Sequence, residues 1–267
     1  MSTLGYALAD GMTIAKRNVI KIRRSPDWLG VVLVTPIMFV VLFGYVFGSS
    51  IEIPGMSYRE YLLPGIFVQA VIFGATLAGY GLTEDLQRGA IDRFRTLPMA
   101  PSAVLVGRTA SDVLANVASL VVMTLTGLLV GWRIDTSVGE AMLGFAILLL
   151  FAYSLSWVWA TVALLIRTPE SYNSASSVVV FPLAFVANTF VQSSRLPGPL
   201  ETIAEWNPVS AVAQAARELF GNTSAAMPVS DAWPLQNAVL ASLLWSALIL
   251  AVFVPLATRM YRKAVSR

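Results

Sequence analysis

Long apolar runs separated by short polar or charged stretches dominate the pattern along this chain. Six of them, at 28–48, 61–82, 107–131, 140–166, 171–192 and 233–258, are long enough to cross a bilayer as helices, because about 20 helical residues span the hydrocarbon core. The pattern predicts an all-α integral membrane protein, a single transmembrane domain over 1–267 with six transmembrane helices. Ahead of the first run, Leu4, Leu8, Met12, Ala15, Val19 and Ile22 make one stripe, while Lys16, Arg17, Lys21, Arg23 and Arg24 fall elsewhere. That arrangement predicts an N-terminal interfacial amphipathic helix over 3–24, its basic residues near anionic headgroups; a frayed basic tail is the plainer alternative. The run that follows is too long for the apolar part of a signal peptide, and no small-residue cleavage site follows it. In the second run Ala70, Gly74 and Ala78 set a small residue every four positions, a ridge suited to close helix packing rather than ligand contact. The longest connection, 195–232, is expected to carry short external helices over 199–222, broken at Asn207 and Pro208. They either dip into the outer leaflet or sit over a pore mouth.

Between the second and third runs lies the densest block of charge, EDLQRGAIDRFRTLP at 84–98. Leu86, Ala90, Phe94 and Leu97 recur at helical spacing, with Asp85, Arg88, Asp92 and Arg95 elsewhere around the turn. Their i,i+3 and i,i+4 charge pairs contribute only ~0.2–0.5 kcal/mol each. Gly89 would cost about 1 kcal/mol inside a helix, which favours a start just after it, and Pro98 biases Leu97 out of the helical region. The segment reads as a short amphipathic helix in a tight loop, a docking surface of mixed charge. Arg108 and Asp112, four residues apart at the start of the third run, are either an inert interfacial pair or a brace for this loop.

Composition sharpens the picture. The chain is 57% hydrophobic and only 12% charged, with mean hydropathy +0.72, whereas soluble domains carry about 25% charged residues. It has no cysteine and no histidine. This removes disulfides, thiol chemistry, His-based triads and histidine zinc sites, and no metal site is expected. The net charge of +3 does not point to nucleic acid, because the basic residues sort by membrane side. With the N-terminus inside, only Arg59, Arg133, Arg195 and Arg217 of the 18 Lys and Arg fall outside. The positive-inside rule thus predicts cytoplasmic N- and C-termini.

The missing chemistry is as informative. None of the lysines (Lys16, Lys21, Lys263) follows a glycine as a phosphate-binding loop requires, so no catalytic residue and no bound cofactor is expected. The middles of the spans carry no charge, which disfavours proton or sodium coupling. What stands is a membrane protein powered through a separate cytoplasmic partner, with 84–98 as its contact. For a substrate path the fifth run is the most polar. Ser174, Ser177, Phe181, Phe185, Asn188 and Gln192 follow helical spacing and mix aromatics with amides, a face suited to an amphiphilic, partly aromatic ligand. Equally, Asn188 and Gln192 serve neighbouring helices as hydrogen-bond partners. Pro182 would kink this helix and free a backbone carbonyl.

The run from Glu84 through Asp85, Arg88, Gly89, Asp92, Arg93, Phe94 and Arg95 to Pro98, followed by Val106, Gly107, Arg108 and Asp112, resembles the signature of ABC-2 type transporter permeases. The likeness is to the daunorubicin-resistance branch, and only 84–112 is specific enough to carry it. The resemblance implies that 84–98 holds the cytoplasmic coupling helix between the second and third spans. It further implies two separately encoded ABC ATPase subunits that bind ATP and Mg, and a second permease copy, identical or closely related. The site would be the cytoplasmic membrane of a bacterium. The expected role is export of a drug, antibiotic or lipid-like compound. Export of a polysaccharide or lipo-oligosaccharide is the alternative within the family, and a passive channel or membrane scaffold the alternative outside it.

Overall fold

The computed structural model describes residue 34 and residues 37–43, 53–89, 101–166, 168–226 and 230–265. Helix α1 (Tyr58–Gln87) opens on a capping box, in which Ser57 Oγ accepts from the Glu60 amide at 3.3 Å and the Glu60 carboxylate accepts from the Ser57 amide at 3.0 Å. These reciprocal bonds satisfy donors that a helix start leaves orphaned. It stops before Gly89, whose φ of +67° is the left-handed conformation that glycine adopts without strain. Helix α2 (Pro101–Leu129) follows, and then α3 (Val138–Leu165), opened by a second capping box from Ser137 and Glu140. Helix α4 (Pro169–Phe185) is capped by Thr168. A single 3-10 turn (Ser193–Arg195) leads to α5 (Gly198–Trp206) and α6 (Pro208–Phe220), then to the short α7 (Trp233–Gln236) and α8 (Ala238–Val265).

Helix α1 is the axis of the bundle. It packs against α2, α3, α4 and α6, and α3 in turn carries α8. In its most apolar stretch α1 is 72% buried by protein, against 17% for α8. Lipid tails are as apolar as leucine, so close surface fit rather than hydrophobicity sorts these helices. Glycine makes the fit where α1 meets α4: a Cβ on Gly79 would lie 2.1 Å from the Tyr172 hydroxyl, which donates to the Thr76 carbonyl at 2.8 Å. A Cβ on Gly74, from the small-residue ridge, would lie 2.6 Å from Asn116 Oδ1 on α2.

The expectation of six spanning helices needs correction. Among the described residues four helices are long and apolar enough to cross a membrane, within Tyr58–Gln87, Ser111–Leu129, Val138–Leu165 and Ala238–Lys263. The fifth run does not form one continuous span: α4 has 17 residues and ends at Phe185, three residues past Pro182. The sixth is divided, with α7 separated from α8 at Asn237. Most of 28–48 and all of 3–24 lie outside the described residues. The expected coupling helix is also revised in part, because Glu84 and Asp85 belong to the last turn of α1. Asp92, Arg93, Phe94, Arg95 and Pro98 lie outside the described residues. The connection expected to be external contains α5 and α6, but α6 is no peripheral helix. Val209, Ala213, Ala216, Arg217 and Phe220 are buried against α1, α3 and α8.

Candidate functional site: a cavity beside a broken helix

A cavity of about 460 Å³ lies between α1, α2 and α4, with Phe39 of the helical segment 37–42 on its wall. Helix α1 contributes Ile66, Gln69, Ala70, Phe73 and Gly74; α2 contributes Asp112, Asn116, Ser119 and Met123; α4 contributes Ser176, Ser177, Val180, Phe181 and Phe185. The wall is chiefly apolar, with a few placed polar groups, as small-molecule sites are. A relay of rings runs past it. Phe73 meets Phe181 edge-on at 6.1 Å, Phe181 stacks on Phe185 at 5.8 Å, Phe185 on Phe190 at 5.6 Å, and Phe190 on Phe43 at 4.8 Å. Several polar groups are already used within their own helices. Ser177 Oγ donates to the Asn173 carbonyl at 2.7 Å, Thr76 Oγ1 to Phe73 at 2.6 Å, and Asn116 Nδ2 to Asp112 at 2.9 Å.

Beyond Phe185 the backbone leaves the helix, and its carbonyls turn to side chains of other elements. Asn207 Nδ2 donates to the carbonyls of Leu183 (2.9 Å) and Val186 (2.6 Å). Gln69 Nε2 donates to Ala184, and to Thr189 Oγ1 at 3.3 Å. The Asn188 carbonyl accepts from the Tyr61 hydroxyl (2.9 Å) and from Arg217 (2.6 Å). Arg217 also donates to Thr189 (3.1 Å), and the Tyr58 hydroxyl donates to Phe190 (3.2 Å). Unpaired carbonyls in a membrane cost several kcal/mol each, so a helix breaks there only where protein supplies donors. Arg217 is central to this. It is fully buried, its Nε donates to the Tyr61 carbonyl at 2.9 Å, and its guanidinium lies 3.7 Å from the Tyr61 ring centroid, within cation–π range. Gly65 makes room: a Cβ there would fall 2.3 Å from the Thr189 oxygen.

The residues singled out from the sequence are divided by this geometry. Ser177, Phe181 and Phe185 share the cavity wall, and Asp112, expected as an inert interfacial partner of Arg108 or in a brace with it, is on the wall with them. Asn188 and Gln192 do not line it; both are buried past the break. There Asn188 serves through its backbone: its carbonyl accepts from Tyr61 and Arg217, and its main-chain N–H donates to Ser210 Oγ at 2.9 Å. Glu84 and Arg88 pair with each other at 2.7 Å across the last turn of α1, with Arg88 64% exposed. Sequence reasoning passed over Gln69 and Asn116, and counted Arg217 among the external basic residues without giving it a role. Gln69 is an amide in the middle of an apolar run, and that was its signal. Arg217 shares a helix face with Ala213 and Phe220, which places it on the apolar side of α6 rather than in the external loop. Among the described residues no three acidic side chains gather as metal ligands.

Residues 11–220 match the ABC-2 type transporter family. The chain is 33% identical to the "Daunorubicin resistance ABC transporter permease protein DrrB1" of Streptomyces coeruleorubidus, over 96% of this chain and 87% of that protein. It is 24% identical to the "Probable doxorubicin resistance ABC transporter permease protein DrrC" of Mycobacterium tuberculosis, over 94% and 88%. A more distant likeness, at 23% over 79% and 73%, is to the "Putative transport permease ycf38" of Porphyra purpurea.

Proposed function

The chain belongs to the ABC-2 type transporter family, and on that premise we propose that it exports a hydrophobic or amphiphilic compound from the cytoplasm or inner leaflet. It is a multi-pass membrane permease, and permeases of this family have no ATP-hydrolysis site of their own. The stroke then comes from two copies of a separate ABC ATPase that bind ATP and Mg, acting on a pair of permeases. The supporting observation is the apolar, aromatic-lined cavity at α1, α2 and α4, of a size that takes a small molecule. An extended polysaccharide would need a wider path lined with hydroxyl groups. Relatives named for daunorubicin and doxorubicin resistance favour the same reading.

In this reading the basic end of α8, with Arg259, Arg262 and Lys263, lies on the cytoplasmic side of a bacterial plasma membrane. The ATPase docks at the end of α1 and the loop after it, through Glu84, Asp85, Arg88, Gly89, Asp92, Arg93, Phe94, Arg95 and Pro98, with Arg108 and Asp112 bracing the loop. Purification of the tagged chain in mild detergent should bring down a P-loop ATPase in stoichiometric amount. Proteoliposomes of that complex should move a fluorescent aromatic amphiphile only with ATP and Mg. Nucleotide-independent flux, or ion conduction without the partner, would overturn the proposal.

A further inference from the structure

We propose that Gln69 sets the ligand class of the cavity: it admits aromatic amphiphiles that carry a hydrogen-bond donor, and its amide oxygen is the acceptor. The inference rests on the reading of this cavity as the substrate path. Gln69 stands on the cavity wall and is 1% exposed. Its amide nitrogen donates to the Ala184 carbonyl and to Thr189 Oγ1. A carbonyl has no proton to give, so the assignment of this amide is fixed: its nitrogen serves the break in α4, and its oxygen is left for another donor. That oxygen is buried and accepts no hydrogen bond. Native interiors leave few such groups, because a buried acceptor without a donor keeps the full cost of its lost hydration.

The surroundings define what can supply the donor. The hydroxyls of Thr76 and Ser177 and the amide of Asn116 already donate to main-chain carbonyls. The rings of Phe73 and Phe181, set edge to face, line the same cavity as Gln69 and offer it aromatic walls. A compound with an aromatic body and a hydroxyl or N–H at its edge matches both features. The same compound with the donor capped as an ether sets one acceptor against another, and loses the bond while keeping the apolar contact. The amide that receives the ligand is also the one that holds Ala184 and Thr189, so occupancy of the cavity is felt at the break in α4.

The test compares 6-hexyl-2-naphthol with its methyl ether, titrated by fluorescence anisotropy against the full chain in lipid nanodiscs, with empty nanodiscs subtracted. The naphthol should bind about fivefold more tightly, the usual net worth of one neutral hydrogen bond. Gln69→Met, which keeps the volume, should bring the ratio close to one; a general packing defect would weaken both compounds and leave the ratio. Equal binding by the wild-type chain overturns the assignment, as does a naphthol preference that survives Gln69→Met. Should that variant not fold, a diazirine analogue of the naphthol decides on the wild-type chain. Labels mapped to 66–77 and 177–185 support the proposal, and labels elsewhere overturn it. If neither compound binds, the reading of the cavity as the substrate path falls, and this inference with it.

Discussion

Arg217 shows how a single side chain can hold an irregular backbone inside a bilayer-embedded bundle. Among the described residues it has no carboxylate partner; its charge is met by carbonyls of Tyr61, Asn188 and Thr189 and by the Tyr61 ring. Guanidinium suits this because it presents several donors in a rigid plane and stacks on aromatic faces, where an ammonium is a point charge. Arg217→Met would strip donors from three buried carbonyls at once. We expect it to cost at least about 3 kcal/mol, by the usual worth of hydrogen bonds to charged groups. The thermal unfolding midpoint in detergent, followed by tryptophan fluorescence, should fall sharply, and Arg217→Lys should recover only part of the loss. An unchanged midpoint for Arg217→Met would contradict the role.

At the level of elements, legibility tracked the distance over which the cause acts. The helices α1, α2, α3 and α8 were readable because length and apolarity are local properties of the chain. Gly89 was readable as a position poorly suited to a helix interior, but the pattern set it just before the start of a loop helix, with the second span ending at 82. Helix α1 instead runs on to Gln87, with Gly89 just past its end. The end of α4 was not readable. Pro182 suggested a kink, but a full break depends on donors at Tyr58, Tyr61, Gln69, Asn207 and Arg217, which meet 183–190 only in the folded bundle. Periodicity along 171–192 therefore predicted one face from Ser174 to Gln192. The chain presents half of that face to the cavity and turns the rest into the interior. The charged stretch 84–98 lies largely outside the described residues, and the prediction it carries is functional. Asp92→Arg or Arg93→Glu should leave the permease folded and inserted while uncoupling ATP hydrolysis from transport. Wild-type export in proteoliposomes by either variant would refute this.

Across the whole molecule, the contrast between α1 and α8 assigns the inside and the outside of the bundle. Leu244, Leu248 and Val252 are about half exposed along α8, an apolar stripe of the kind that suits contact with lipid. A lysine at Leu248 would place its charge deep in the hydrocarbon, at a cost of about 3 kcal/mol on insertion scales. We expect Leu248→Lys to lower the yield of chain in the membrane fraction several-fold, with Leu248→Phe near wild type. Equal yields for both would place this face against protein instead. The cavity lies away from α8, on the α1, α2 and α4 side, so the exposed apolar stripe and the cavity are built from different helices.

The clamp on the end of α4 also imposes an order on biogenesis. Its donors come from both directions along the chain: Tyr58, Tyr61 and Gln69 are synthesised long before residues 183–190, whereas Asn207 and Arg217 are synthesised after them. A nascent chain that has reached only the 3-10 turn holds α1 and α4 with half of those carbonyls unserved. The broken helix becomes secure only when α6 is translated and folds back beneath it. A ribosome-bound intermediate ending before Pro208 is therefore the stage at which quality-control proteases have their best opening.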